Sequence, residues 1–84
     1  MNFIIEMERT IKLIWDFNGE DAVHFAAHHK RHLAEFANKE NLLLKETGAE
    51  EINPNHATAY LLVKESQVYM VRDVLKPKRA EIVD

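Results

Sequence analysis

The run from Gly19 to Glu40 constrains this chain more than any other stretch. At 100° per residue, Ala22, Val23, Phe25, Ala26, Ala27, Leu33, Ala34, Phe36 and Ala37 fill one broad arc. Glu20, Asp21, His24, His28, Arg31, His32, Glu35, Asn38 and Lys39 fill the other. That division predicts an amphipathic surface helix over 19–40. Asn18 is the expected N-cap, with Glu20 and Asp21 in the first turn, and Asn41 before Leu42 is the expected left-handed C-cap. An apolar face so rich in alanine lies close to a flat partner, and the rest of the chain must supply that partner.

Residues 3–17 supply it. Their odd positions are apolar except for Arg9, and their even positions are mostly polar. This period of two marks a strand with one buried face. Its length exceeds the usual range, yet no Gly, Asn or Asp marks a turn near Met7–Thr10. One long, curved strand is therefore expected, which bends or leaves the core at Arg9. Residues 42–56 read poorly, with LLLKET suiting either a short strand or a last helical turn. Asn53-Pro54-Asn55 is a turn signal.

Over 57–75 two readings compete. On a helical wheel the apolar residues scatter all round, whereas two strands separated by Lys64–Gln67 account for the Val, Tyr, Thr and Leu content. Strands are preferred on that ground, and Pro77 would end the second. Residues 76–84 then read as a loosely ordered tail of mixed charge. The expected fold is α+β, a single domain over 1–84. It has a β-α-β-β order and a small antiparallel or mixed sheet, with the helix on one face. A right-handed crossover would make the first strand parallel to the strand after the helix, with the third pairing between them. In topology alone, this order resembles half of a ferredoxin-like fold.

Composition enters at the question of stability. Eighty-four residues bury only a little over 60% of their unfolded surface, so a lone copy would be marginally stable. With no cysteine, disulfides, thiolate metal sites and thiol nucleophiles are excluded. A metal, a partner or self-association remains as the supplement. Ile4 and Ile14 on the polar side of the first strand, and apolar residues on both faces of the later ones, favour a homodimer through sheet edges or the open face.

The net charge of −3 gives no general attraction to nucleic acid, and the one basic run (Arg72, Lys76, Lys78, Arg79) lacks interleaved aromatics. No stretch has the length of a membrane span, and Met1–Ile5 lacks the features of a signal peptide, so a cytoplasmic location is expected. Gly-rich phosphate loops, GxSxG elbows and dinucleotide fingerprints do not occur, and no reaction is read from the sequence.

Five histidines stand out, four of them within nine residues. His24, His28 and His32 follow one another at i, i+4 and i+8 along the wet stripe, with Glu35 inside it and Asp21 at its edge. They are candidate ligands for Zn²⁺ or another divalent transition metal. HHKRH lacks the glutamate of HExxH, so metalloprotease chemistry is not implied, and Lys30 and Arg31 beside the stripe repel a cation. The duller reading is a solvated face. Charging all five histidines would take the chain from −3 to +2, so stability or self-association is expected to respond to pH between about 7 and 5.

His29 falls instead in the apolar arc. It is either a satisfied core imidazole or a ligand-facing group in a helix–sheet pocket with Phe25, Phe36 and Trp15, where it could act as an acid or base. His56 in the NPN loop could complete a site, although nothing in the sequence fixes its distance. The function expected first is that of a non-catalytic, self-associating or ligand-binding module. Metal binding through the helix histidines comes second, and a small enzyme built on His29 third.

Overall fold

Alternation becomes a strand, β1, from Thr10 to Asn18. The computed structural model describes residues 8–83, so the part of the expected strand in residues 3–7 lies outside it. Arg9 is exposed and precedes β1, and its backbone exchanges bonds with Glu65 rather than lying on a buried face. β1 ends at Asn18, which was the expected helix cap. Gly19 follows at φ 111, a left-handed position that favours glycine.

The helix α1 runs from Ala22 to Lys39, with Asp21 at its N-cap and no side-chain cap bond. Its start is therefore later than the acidic pair suggested. The C-terminus follows the sequence expectation. Asn41 is left-handed at φ 51, the Leu42 N–H donates to the Ala37 carbonyl at 3.0 Å, and Leu42 is buried. This is a Schellman closure with its apolar contact.

Residues 47–53 form β2 (Thr47–Asn53), and residues 56–64 form β3 (His56–Lys64). Pro54 and Asn55 close the hairpin between them, and the Asn55 N–H donates to the Asn53 side-chain oxygen at 2.8 Å. NPN is thus the turn its composition announces.

Beyond β3 the sequence reading fails for half the segment. A 3₁₀ turn at Glu65–Gln67 leads into a second helix, α2 (Val68–Leu75), where a strand was expected. Val68, Val71 and Leu75 turn inward at helical spacing and join the core. Tyr69, Met70 and Val74 stay exposed, which is why the wheel looked apolar all round. Lys76 ends α2 in a left-handed conformation, with Pro77 behind it. The expected tail then contains a fourth strand, β4 (Arg79–Ile82), antiparallel to β1.

The order is β-α-β-β-α-β, and the strands lie as β2-β3-β1-β4, each pair of neighbours antiparallel. Among the described residues this is the whole of the ferredoxin-like, split βαβ arrangement rather than half of it. β1 and β2 run parallel with β3 between them, as the crossover expectation required. The strand after the helix, however, is 47–53 rather than 57–63.

Both helices cover one face of the sheet. Leu13 and Trp15 of β1, Ala59, Leu61 and Val63 of β3, Leu33 and Ala37 of α1, Leu42 and Val71 form one buried cluster. Ala22, Ala26 and Ala57 form a smaller one, and Phe17 touches both. The inward line on α1 is Ala22, Ala26, His29, Leu33 and Ala37, which is narrower than the arc drawn from sequence. Val23 and Phe25 fall outside it and are exposed. The other face of the sheet carries the polar side of β1. Lys12 contacts Glu50 at 3.4 Å and sits 4.5 Å over the Tyr60 ring. Ile14 is nonetheless only 3% exposed there, with Tyr60 and Arg79 opposite it in register. A Cβ on Gly48 would run into the Tyr60 ring, so that ring lies flat across β2 because residue 48 has no side chain.

Candidate functional site

Four arrangements carry the chemistry of this molecule. The first is the wet stripe of α1. One turn apart, His28 and His32 bring their Nε2 atoms to 2.9 Å, ring edge to ring face, with centroids 4.5 Å apart. The Glu35 Oε1 lies 3.2 Å from the His32 Nδ1. His24 instead turns its ring toward Phe25, with centroids 6.0 Å apart. Asp21 takes the N-cap position. Of the five residues expected to gather here, the structure brings three together. Among the described residues, no group of three or more His, Asp or Glu converges as a metal-binding set.

The second is the slot around His29. Its ring packs against Trp15 at 5.2 Å and Phe17 at 5.4 Å, both tilted. The Nε2 is buried without a hydrogen-bond partner, so the satisfied core histidine of the sequence reading does not form at that atom. Burial lowers the imidazole pKa from 6.5, and the neighbouring His32 and His28 lower it further. Trp15 is in the slot as expected. Phe17 takes the place given to Phe25, which is 52% exposed, and Phe36 packs against the main core cluster. The Trp15 indole N–H donates to the Leu75 carbonyl at 2.7 Å, which joins β1 to the last carbonyls of α2.

The third arrangement was not read from the sequence. On the open face, Asp16 accepts two bonds from Arg79 at 3.0 Å and one from the His56 Nε2 at 2.8 Å. The bond from Arg79 dominates in drawing the Asp16 pKa from 3.8 to about 2, burial opposes it, and the bond from His56 adds to it. The guanidinium also reaches Glu81 at 3.5 Å. Asp16, His56 and Arg79 lie far apart in the chain, and only the strand register assembles them. The sequence carried the parts, a polar-face aspartate, a histidine expected in a loop that instead opens β3, and one arginine of the basic run, but no spacing that linked them.

The fourth is a groove of about 380 Å³ between α2 and β4. Leu13 and Val68 form its floor, Tyr69 and Arg72 one wall, and Lys78 and Ala80 the other. Beside it, a second hollow is lined by Ile11, Glu65 and the same Val68 and Tyr69. Tyr69, which lines both hollows, is 66% exposed.

Fold and site together define a small four-stranded βαββαβ domain with an apolar hollow beside one edge strand. No family model, curated protein or solved structure matches the chain. No helix among the described residues is long and apolar enough to cross a membrane.

Proposed function

We propose that this protein is a self-associating module that forms a two-fold dimer by antiparallel pairing of β4 with the β4 of a second copy. The observation that carries the reading is the sequence Arg79-Ala80-Glu81 on an edge strand flanked by the apolar hollow. The Val83 N–H donates to the Thr10 carbonyl in register with the β1–β4 pairs. By alternation, the backbone groups of Ala80 and Ile82 point away from β1 and, among the described residues, offer an unpaired edge.

Placing the two-fold axis at Ala80 makes Ala80 a hydrogen-bonded pair with its copy and sets Arg79 opposite Glu81 of the second copy, twice. Residues opposite one another in a non-hydrogen-bonded pair lie closest, so opposite charges there are favourable. Moving the axis to Glu81 would oppose like charges. The other edge, β2, offers no such match, because Thr47–Asn53 holds no basic residue for Glu50 and Glu51 to meet. On the helix side, Ile82 would face the Lys78 stem of the second copy, and the hollow beside Tyr69 would close. Pairing through the open face is the poorer choice, since Lys12 is already paired with Glu50 there, and Asp16 with His56 and Arg79.

Sedimentation equilibrium at tens of micromolar tests the reading. Ala80→Pro removes an N–H that points outward, so β1–β4 pairing survives while the edge is blocked. Glu81→Arg opposes like charges across the axis. Both variants are expected to be monomeric, with circular dichroism unchanged. A monomeric parent, or dimers unaffected by both substitutions, overturns the reading.

A further inference from the structure

We infer that His28 and His32 form a bidentate site for a divalent transition-metal ion of square-planar or octahedral preference, Ni²⁺ or Cu²⁺, on the exposed face of α1. The site is independent of the dimer. The two Nε2 atoms already meet at hydrogen-bond distance, 2.9 Å, so rotation of two exposed rings aims both lone pairs at one ion at bonds of about 2.0–2.1 Å. A Zn²⁺ site takes three or four protein ligands, which this pair does not supply, whereas a square-planar or octahedral ion completes its coordination with water.

Helix geometry explains the approach, because residues four apart sit one above the other on the same face. The Glu35 carboxylate, 3.2 Å from the Nδ1 of His32, favours a proton on that nitrogen and leaves the lone pair on Nε2. In the metal-free state, the His28 Nε2–H donates to that lone pair. Metal binding moves the His28 proton to Nδ1, so a neutral pair takes up the ion with no net proton release. Both rings are at the surface, so water fills the remaining coordination positions without any rearrangement of the core. Arg31, between them in sequence, holds the affinity down. His24 has turned to Phe25 and is no ligand.

Calorimetric titration of the untagged full chain with NiCl₂, CuCl₂ and ZnCl₂ at pH 7.5 tests the inference, with electron paramagnetic resonance of the Cu²⁺ form. The expected result is 1:1 binding of Ni²⁺ and Cu²⁺, with Ni²⁺ tighter than Zn²⁺ and a copper spectrum showing two equivalent imidazole nitrogens. His28→Ala and His32→Ala should each abolish binding. Glu35→Gln should weaken it by about tenfold or more, and His24→Ala should leave it unchanged. All four positions are exposed on the helix, so the variants should fold, and melting curves without metal check this. Binding that survives His28→Ala, a loss in His24→Ala equal to that in His28→Ala, a preference for Zn²⁺ over Ni²⁺, or no heat with any ion overturns the site.

Discussion

The two βαβ halves of this molecule share a topology and differ in how well they are roofed. Between β1 and β2, α1 spans 18 residues and lays Ala22, Ala26, His29, Leu33 and Ala37 along the sheet. Its end is closed by a left-handed asparagine and a buried leucine. Between β3 and β4, α2 spans eight residues and buries only Val71 completely. Isolated helices of that length are marginal in water, so α2 exists because the core holds it. The first half is closed by its own chain. The second leaves apolar side chains and, among the described residues, an unpaired strand edge side by side, which is where a second copy has something to gain.

That contrast can be broken most sharply in the core. Leu33→Ala is expected to cost about 2–5 kcal/mol, and Val71→Ala roughly 1.5–2.5 kcal/mol, in urea unfolding. Native-state hydrogen exchange sharpens the point. Val71→Ala should raise exchange in residues 79–82 more than in α1, and an equal rise in both would show that the halves open as one unit.

Replacement of His29 by Leu is next in size. An unpartnered buried polar atom costs about 1–3 kcal/mol, so His29→Leu is expected to raise the melting temperature. The pH dependence has a definite sign. Burial lowers the folded pKa of His29 below 6.5, so its neutral form supports the fold fully above pH 6.5, and that support is lost as the pH falls from there. The gain in His29→Leu should therefore be larger at pH 5.5 than at pH 7.5. A constant difference would contradict the assignment.

Asp16 gives a smaller and more acidic signature. Its folded pKa of about 2 lies below 3.8, so its contribution is present above pH 3.8 and is lost as the pH falls toward 2. The urea midpoint of Asp16→Asn should lie below that of the parent at pH 5 and converge on it near pH 2. The smallest effect belongs to Tyr69→Ser, which should change the stability of one copy by less than about 0.5 kcal/mol while weakening dimerisation.

Much of the first half was legible because its signals are local. Alternation from Thr10 to Phe17, a 3.6-residue period over α1, Asn41-Leu42 and NPN each act within a few residues. The second half depends on tertiary context. Val68, Tyr69, Val71 and Val74 favour strands by propensity, yet three inward positions at helical spacing and a core waiting for them decide for helix. β4 is too short and too charged to be seen without β1 beside it. His28 and His32 lie together because residues four apart share a helix face, whereas Trp15 meets His29 only through the packing of α1 on β1. The Asp16–His56–Arg79 cluster depends on the register of three strands, which no single sequence encodes visibly.

The strand order also has a consequence for the chain as it is made. β1 is one of the two inner strands, yet it pairs with nothing near it in sequence: Ile11 faces Val63 on one side and Ile82 on the other. During synthesis its apolar face is therefore complete long before either neighbour exists, and α1 alone can shelter it. Every strand pair that includes β1 closes a long loop, which slows folding. When β3 arrives, one side of β1 is still bare until residues 79–82 emerge. In that interval the molecule displays a longer and more apolar edge than the finished protein ever does. Ribosome-bound chains halted before residue 79 should bind hydrophobic dyes and holding chaperones more strongly than chains halted after residue 83, once both lengths have cleared the exit tunnel.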